Sequence, residues 1–232
     1  MSMSGPVSVT CQKCGKESQF IIWKSINTML DPEMKSKVRD KSAFRFTCPH
    51  CGHSVLMDYS FLYHQMEDQI MIHYTQTEEN IKDIYDFYAG NRDSELYKDF
   101  PDLHAKYLNR IVRSVNQLLE KLAIFDAGMD DRIVELCKVF ILSEYLKQHP
   151  DSAGPELLMF TDEEQGHIIQ IIDNGETAGY TALADEFYAL IKEEFSPRLK
   201  DIRDDNEPII NQAWALKFLS EKGPEQGRNH LG

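Results

Sequence analysis

The chain has 232 residues, 42% of them hydrophobic and 10% aromatic, with 38 acidic against 25 basic side chains and a net charge of −13. That is enough apolar material for one large or two small cores, which excludes a disordered chain, and the acidity argues against nonspecific binding to nucleic acid or to an anionic membrane. No run of eighteen apolar residues exists, five cysteines are too few and too odd for a disulfide scaffold, and the start has neither a basic nor an apolar leader, so the expected setting is cytoplasmic and reducing, with no membrane partner.

The charge is uneven. Residues 1–60 carry 8 Lys/Arg and 5 Asp/Glu, net +3, whereas residues 61–150 are net −6 and residues 151–232 net −10. The first segment also holds four of the five cysteines. In chain order, Val7–Thr10 is a short β-favouring run, and Gln19–Ile26 reads as a strand rich in aromatic and β-branched residues. Asp31-Pro32-Glu33 has the form of an N-cap with proline at the first helical position, opening a short helical turn. Ala43–Thr47, Ser54–Tyr59 and Asp68–Thr75 read as further strands.

Apolar residues at Leu108, Ile111, Val112, Val115, Leu118, Leu119 and Leu122 recur at helical spacing. Gly128 fits a C-terminal cap, and Asp130 or Asp131 the next N-cap. A second helix follows through Ile133, Val134, Leu136, Cys137, Phe140, Ile141 and Leu146, ending before Pro150. The short link makes the pair an antiparallel αα-hairpin. Beyond it, Leu157–Thr161 and His167–Asp173 read as strands, and Asn174-Gly175 is a two-residue hairpin turn returning through Ala178–Thr181. Leu183–Phe195 predicts a helix stopped near Pro197, Ile209–Leu219 a last one, and Gly223 onward a frayed tail. The expected fold is α+β: an N-terminal zinc-ribbon-like β unit and the helical hairpin within residues 1–149, then a C-terminal α+β region over 150–232.

One motif carries strong chemistry. Cys11-Gln-Lys-Cys14-Gly15 and Cys48-Pro-His-Cys51-Gly52 are two Cys-x-x-Cys-Gly knuckles. Two intervening residues let both thiolates face one ion, and the glycine permits a tight turn that aims backbone N–H groups at the sulfurs. Together Cys11, Cys14, Cys48 and Cys51 supply a closed tetrahedral site for structural Zn²⁺, with no open position for substrate. A redox dithiol fits less well, because the pair occurs twice and no βαβ pattern surrounds it; an iron–sulfur cluster is the other soft-ligand alternative. The knuckles are separated by 33 residues, longer than usual ribbon spacing, which an inserted strand and turn would fill.

These knuckles, with Ile22-Trp23-Lys24-Ser25-Ile26-Asn27, Phe44-Arg45-Phe46, Phe61 to Glu67, Asn116 to Lys121 and Asp130-Asp131-Arg132, resemble the CpXC family of bacterial proteins. The resemblance spans about residues 8–145 and implies a zinc-binding fold without a defined activity. The first knuckle departs from the family name in having Gln12 in place of proline.

Other candidates compete with ordinary readings. His50 and His53 flank Cys51 and could donate to a thiolate, though exposed turn residues look the same. Tyr63, His64 and Glu67 form the best non-cysteine cluster; a histidine beside carboxylates could act as a base, but no nucleophile stands next to it. Asp126-x-Gly128-x-Asp130-Asp131 lacks EF-hand spacing and reads as helix capping. Cys137 sits on an apolar helical face and reads as core. Lys35, Lys37, Arg39, Lys41 and Arg45 read as a solvated basic surface. The leading expectation is a non-enzymatic, zinc-stabilised interaction module that binds a protein partner and can form homo-oligomers. The alternatives are a nucleic-acid-associated regulatory ribbon, disfavoured by charge, and an enzyme centred on Tyr63, His64 and Glu67.

Overall fold

A computed structural model describes residues 2–93, 107–163, 166–200, 202 and 207–221. The tail expected from Gly223 lies outside these residues. The chain falls into two compact units, Met1–Leu119 with Asp204–Pro208, and Glu120–Arg203 with Ile209–Gly232. Helices and strands are mixed in the way the α+β class requires. No helix among the described residues is long and apolar enough to cross a membrane.

The first unit is built on a five-stranded sheet. Strands β1 (Met3–Thr10) and β2 (Glu17–Asn27) form an antiparallel hairpin. Strand β5 (Phe61–Gln65) lies parallel to β2, with Ile26 opposite Tyr63. Strand β6 (Ile70–Tyr74) pairs antiparallel with β5, and β7 (Leu108–Val112) runs parallel to β6, giving the order β1-β2-β5-β6-β7. A parallel pair needs a crossover connection. Between β2 and β5 it is made by helix α1 (Met34–Arg39) and a small antiparallel hairpin, β3 (Arg45–Thr47) with β4 (Ser54–Leu56). Helix α2 (Glu78–Asp93) serves the same purpose between β6 and β7. Strand β2, helix α1 and strand β3 fill the 33 residues between the knuckles. Arg39 ties α1 to the sheet by donating to the Tyr63 hydroxyl at 3.0 Å and to Gln65 Oε1 at 3.3 Å.

The helical spacing from Leu108 belongs to two elements: Leu108–Val112 is strand β7, and the helix begins at Val115. Ile111 and Val112 are β-branched and buried, and pairing with β6 completes the sheet, so tertiary pairing overrides the local period. The helix start is marked by Ser114, whose hydroxyl accepts the Gln117 N–H at 3.1 Å. Residues Ser42–Phe44 form a 3₁₀ turn rather than the start of a strand, and Met66–Asp68 another. Helix α1 begins at Met34, with the Asp31 carbonyl accepting the Met34 N–H, so Asp31 and Pro32 make the preceding turn and not its first residues. Strand β5 and helix α2 were not anticipated.

Helix α3 (Val115–Asp126) leads from the first unit into the second and ends in a Schellman motif. The Gly128 N–H bonds the Phe125 carbonyl and the Met129 N–H the Ile124 carbonyl, both at 3.0 Å, with Gly128 at φ +69°. Helix α4 (Asp131–Gln148) starts directly after, capped by Asp130, which accepts the Arg132 N–H at 3.0 Å. Both expected caps are present.

The rest of the second unit is an antiparallel meander, β8 (Leu157–Glu163), β9 (Gly166–Asp173) and β10 (Glu176–Ala182), with β9 central. The Asn174-Gly175 turn joins β9 to β10, with both residues at positive φ, 51° and 76°. Helices α5 (Asp185–Leu199) and α6 (Gln212–Ser220) complete the unit. Leu158, Phe160, Ile169 and Ile171 of the sheet, Val134 and Cys137 of α4, Ile191 of α5 and Trp214 and Phe218 of α6 share one core. Pro197 does not end α5. The last turn continues to Leu199, which is buried, while Arg198 stacks 4.1 Å from the centre of the Phe218 ring.

Five charged side chains are buried among the described residues of this unit. Lys121 of α3 reaches Asp131 at 3.0 Å and Glu135 at 3.1 Å, and Lys138 of α4 reaches Glu120 at 2.9 Å and Glu135 at 3.0 Å. Glu120 Oε1 also accepts the Phe160 N–H of β8 at 2.7 Å. The ion pairs link α3 to α4, and Glu120 links both to the sheet.

Candidate metal centre

Each knuckle is the turn of a hairpin. Residues Cys11–Lys16 connect β1 to β2, and Cys48–His53 connect β3 to β4. Both turns close by the same bonds. The first cysteine donates its N–H to the carbonyl of the sixth residue, Cys11 to Lys16 at 3.0 Å and Cys48 to His53 at 2.8 Å. The glycine N–H returns to the first cysteine's carbonyl, at 2.8 Å for Gly15 and 2.9 Å for Gly52. Both glycines sit at positive φ, 70° and 69°, where a side chain is strained.

The two turns bring four sulfurs together. All four Sγ atoms lie within 4.8 Å of one another. Cys11 and Cys51 are 3.6 Å apart, and Cys14 and Cys48 are 3.7 Å apart. A disulfide would need about 2 Å. Four thiolates about 2.3 Å from one ion at tetrahedral angles stand about 3.8 Å from each other. The spacing therefore fits a metal ion at the centre. Cys11 and Cys48 are buried against Phe46, whose ring meets Phe20 edge-on at 6.0 Å, while Cys14 is exposed and Cys51 half-buried. The group has two inner and two outer sulfurs, one of each from either turn.

The backbone favours thiolates. The Cys14 N–H, and after it the Lys13 N–H, hold the Cys11 thiol down at about 7. The His53 N–H favours the Cys51 thiolate too, but burial and the three neighbouring sulfurs outweigh it and hold that thiol up at about 11. A central cation converts this crowding of negative charge into attraction.

The histidines stay outside the group. His50 is exposed, and His53 is half-buried and serves through its backbone. The other cluster does not converge. Tyr63 and His64 are adjacent in β5, so their side chains leave opposite faces of the sheet. Tyr63 is fully buried and donates to Gln65 Oε1 at 2.8 Å. His64 packs beside Tyr107 with ring centres 5.2 Å apart, and burial pushes its pKa down. Glu67 accepts from Thr28 at 2.8 Å and pairs with Lys35 at 3.6 Å. Cys137 is buried, as its apolar helical face implied. The buried charges of α3 and α4 were missed by sequence reading; their one signal was the Glu120-Lys121 pair within an otherwise apolar stripe.

Two hairpins whose turns converge four cysteines define a metal-binding β module. The CpXC protein family matches residues 9–138, more than half of the chain, and the chain belongs to that family. The match takes in both knuckles and continues through α3 into α4 as far as Lys138. No curated protein and no solved structure matches the chain.

Proposed function

We propose that the first unit is a zinc-stabilised interaction module, ribbon-like in its paired hairpins, that docks a protein partner in a reducing, cytoplasmic setting. The observation that supports a structural ion is the closed set of four sulfurs, which leaves no position for water or substrate. Zinc suits four thiolates without redox chemistry. A protein partner is supported by what the hairpins expose. Ile21 of β2 is 47% exposed, and Val55 and Leu56 of β4 are 40% and 44% exposed. These are aliphatic side chains, suited to an apolar contact and not to stacking on bases.

Metal analysis of the purified chain tests the first part: one zinc per chain is expected, lost in Cys48→Ser, and zinc retained by that variant sinks the four-cysteine site. For the second, native complexes are crosslinked in cells, and Ile21→Asp with Leu56→Asp should remove a partner joined to the hairpins while leaving zinc in place. Crosslinks confined to nucleic acid, with in vitro binding that collapses as salt rises, would instead establish the nucleic-acid reading.

A further inference from the structure

The second unit carries a cavity of about 420 Å³ between helix α4 and strand β10. Helix α4 contributes Ile141, Glu144, Tyr145 and Gln148, spaced i, i+3, i+4 and i+7 along one face. The facing wall is Ala178–Thr181 of β10, with Ile171 of β9 also lining the cavity. Among the described residues β10 is an edge strand, paired only with β9. Alternate backbone N–H and C=O groups of an edge strand point away from the sheet and can take another strand. The usual blocks are weak here: β10 has no lysine and no proline, and its one irregularity is the register shift between Thr177 and Gly179. A helix face beside an open strand edge is the arrangement in which an extended peptide adds a strand and sinks a side chain.

The chemistry of the cavity selects the side chain. Glu144 is bonded by Gln148 at 3.0 Å and by Lys147 at 3.4 Å, contacts that hold its carboxyl below the usual range. The Lys147 pair is exposed on both sides, so it neutralises little of that charge. Tyr145 stacks on His149 at 4.3 Å and offers an aromatic surface in the same wall. Residues 151–232, which supply the strand wall, are net −10. We propose that this groove binds an extended peptide segment as a fourth strand on β10, with a lysine or arginine side chain of the peptide entering beside Glu144 and Tyr145. This goes beyond the ribbon reading and needs neither the metal nor the first unit.

The test uses capped heptapeptides of alternating threonine and valine with one scanned position carrying Lys, Arg, Glu or Leu. They are titrated to millimolar concentration into the full chain, with backbone amide exchange followed residue by residue. The Lys and Arg peptides should bind saturably and slow exchange in Ala178–Thr181. Glu144→Lys should weaken them about tenfold, a loss of about 1.4 kcal/mol, and Glu144→Gln by less. Both changes lie at an exposed position, and unchanged thermal midpoints show that the fold is kept. Equal binding of the Glu or Leu peptides, protection confined to other segments, no saturable binding, or occupation of β10 by a second copy of the chain in sedimentation experiments each overturns the proposal.

Discussion

Lys138 Nζ stands 2.9 Å from Glu120 Oε1, with both side chains only 4% exposed. Glu135 and Lys121 are as deeply buried, and the two lysines are held charged against the desolvation that opposes it, Lys138 through the carboxylates of Glu120 and Glu135. Removing one partner of such a set leaves a charge buried without compensation, which costs about 3–5 kcal/mol. Lys138→Met is therefore expected to lower stability in urea by that amount although it preserves length and apolar packing. A loss under about 1 kcal/mol would show that the pair contributes no more than a surface salt bridge.

The knuckle glycines give a second expectation. A Cβ at Gly52 would meet nothing within 4 Å, so Gly52→Ala is opposed only by the backbone at φ +69°. That conformation costs a residue with a Cβ about 1–2 kcal/mol. Because metal binding and folding of the turn are linked, apparent metal affinity should fall about tenfold in a chelator competition. Gly5→Ala serves as the control: Gly5 also has open space around its Cβ position but no positive φ, and its affinity should match the native protein.

His73 makes stability sensitive to acid. Burial pushes it from 6.5 down to about 4, and its Nε2 lies 2.9 Å from the Tyr88 hydroxyl. Since Tyr88 donates to Asn109 Oδ1 at 2.9 Å, the imidazole is the donor in its bond with Tyr88. The folded state binds the His73 proton less readily than the unfolded chain. This contribution is thus fully present above about pH 6.5 and is lost as the pH falls toward 4. Urea midpoints of the native protein should drop over that window more steeply than those of His73→Gln, measured in parallel.

Cys137 should be chemically silent. Burial raises its thiol to about 12, leaving almost no thiolate at neutral pH. Alkylation with iodoacetamide at pH 8 should spare Cys137 in the folded chain and reach it in urea, as read by peptide mass. Modification of the folded protein at a rate like that of free cysteine would mean that the core of α4 opens readily.

What sequence revealed and what it hid follow one division. The four-cysteine cluster was legible because each half of it is local: six residues fix each turn, and a glycine at positive φ marks it. The Gly128 and Asp130 caps and the Asn174-Gly175 hairpin were legible for the same reason, each resting on bonds within a few residues. Strand β5 was hidden, because Phe61–Gln65 earns its place only by lying between β2 and β6, distant in the chain. Strand β7 was mistaken for helix because Ile111 and Val112 happen to stand in phase with the stripe of α3. The buried ion pairs were invisible because a charge in sequence shows no sign of its burial. Glu120 and Lys138 are 18 residues apart and meet only when α3 and α4 fold back on each other.

The twin knuckles also bear on the order of assembly. Each hairpin closes its own turn with its own two bonds and presents two sulfurs without help from the other. Either half offers two thiols to one ion, so an ion bound by all four would join two turns separated by 33 residues of chain. That closure would enclose β2, α1 and β3 in one loop, and would shorten the search by which β5 finds its parallel place beside β2.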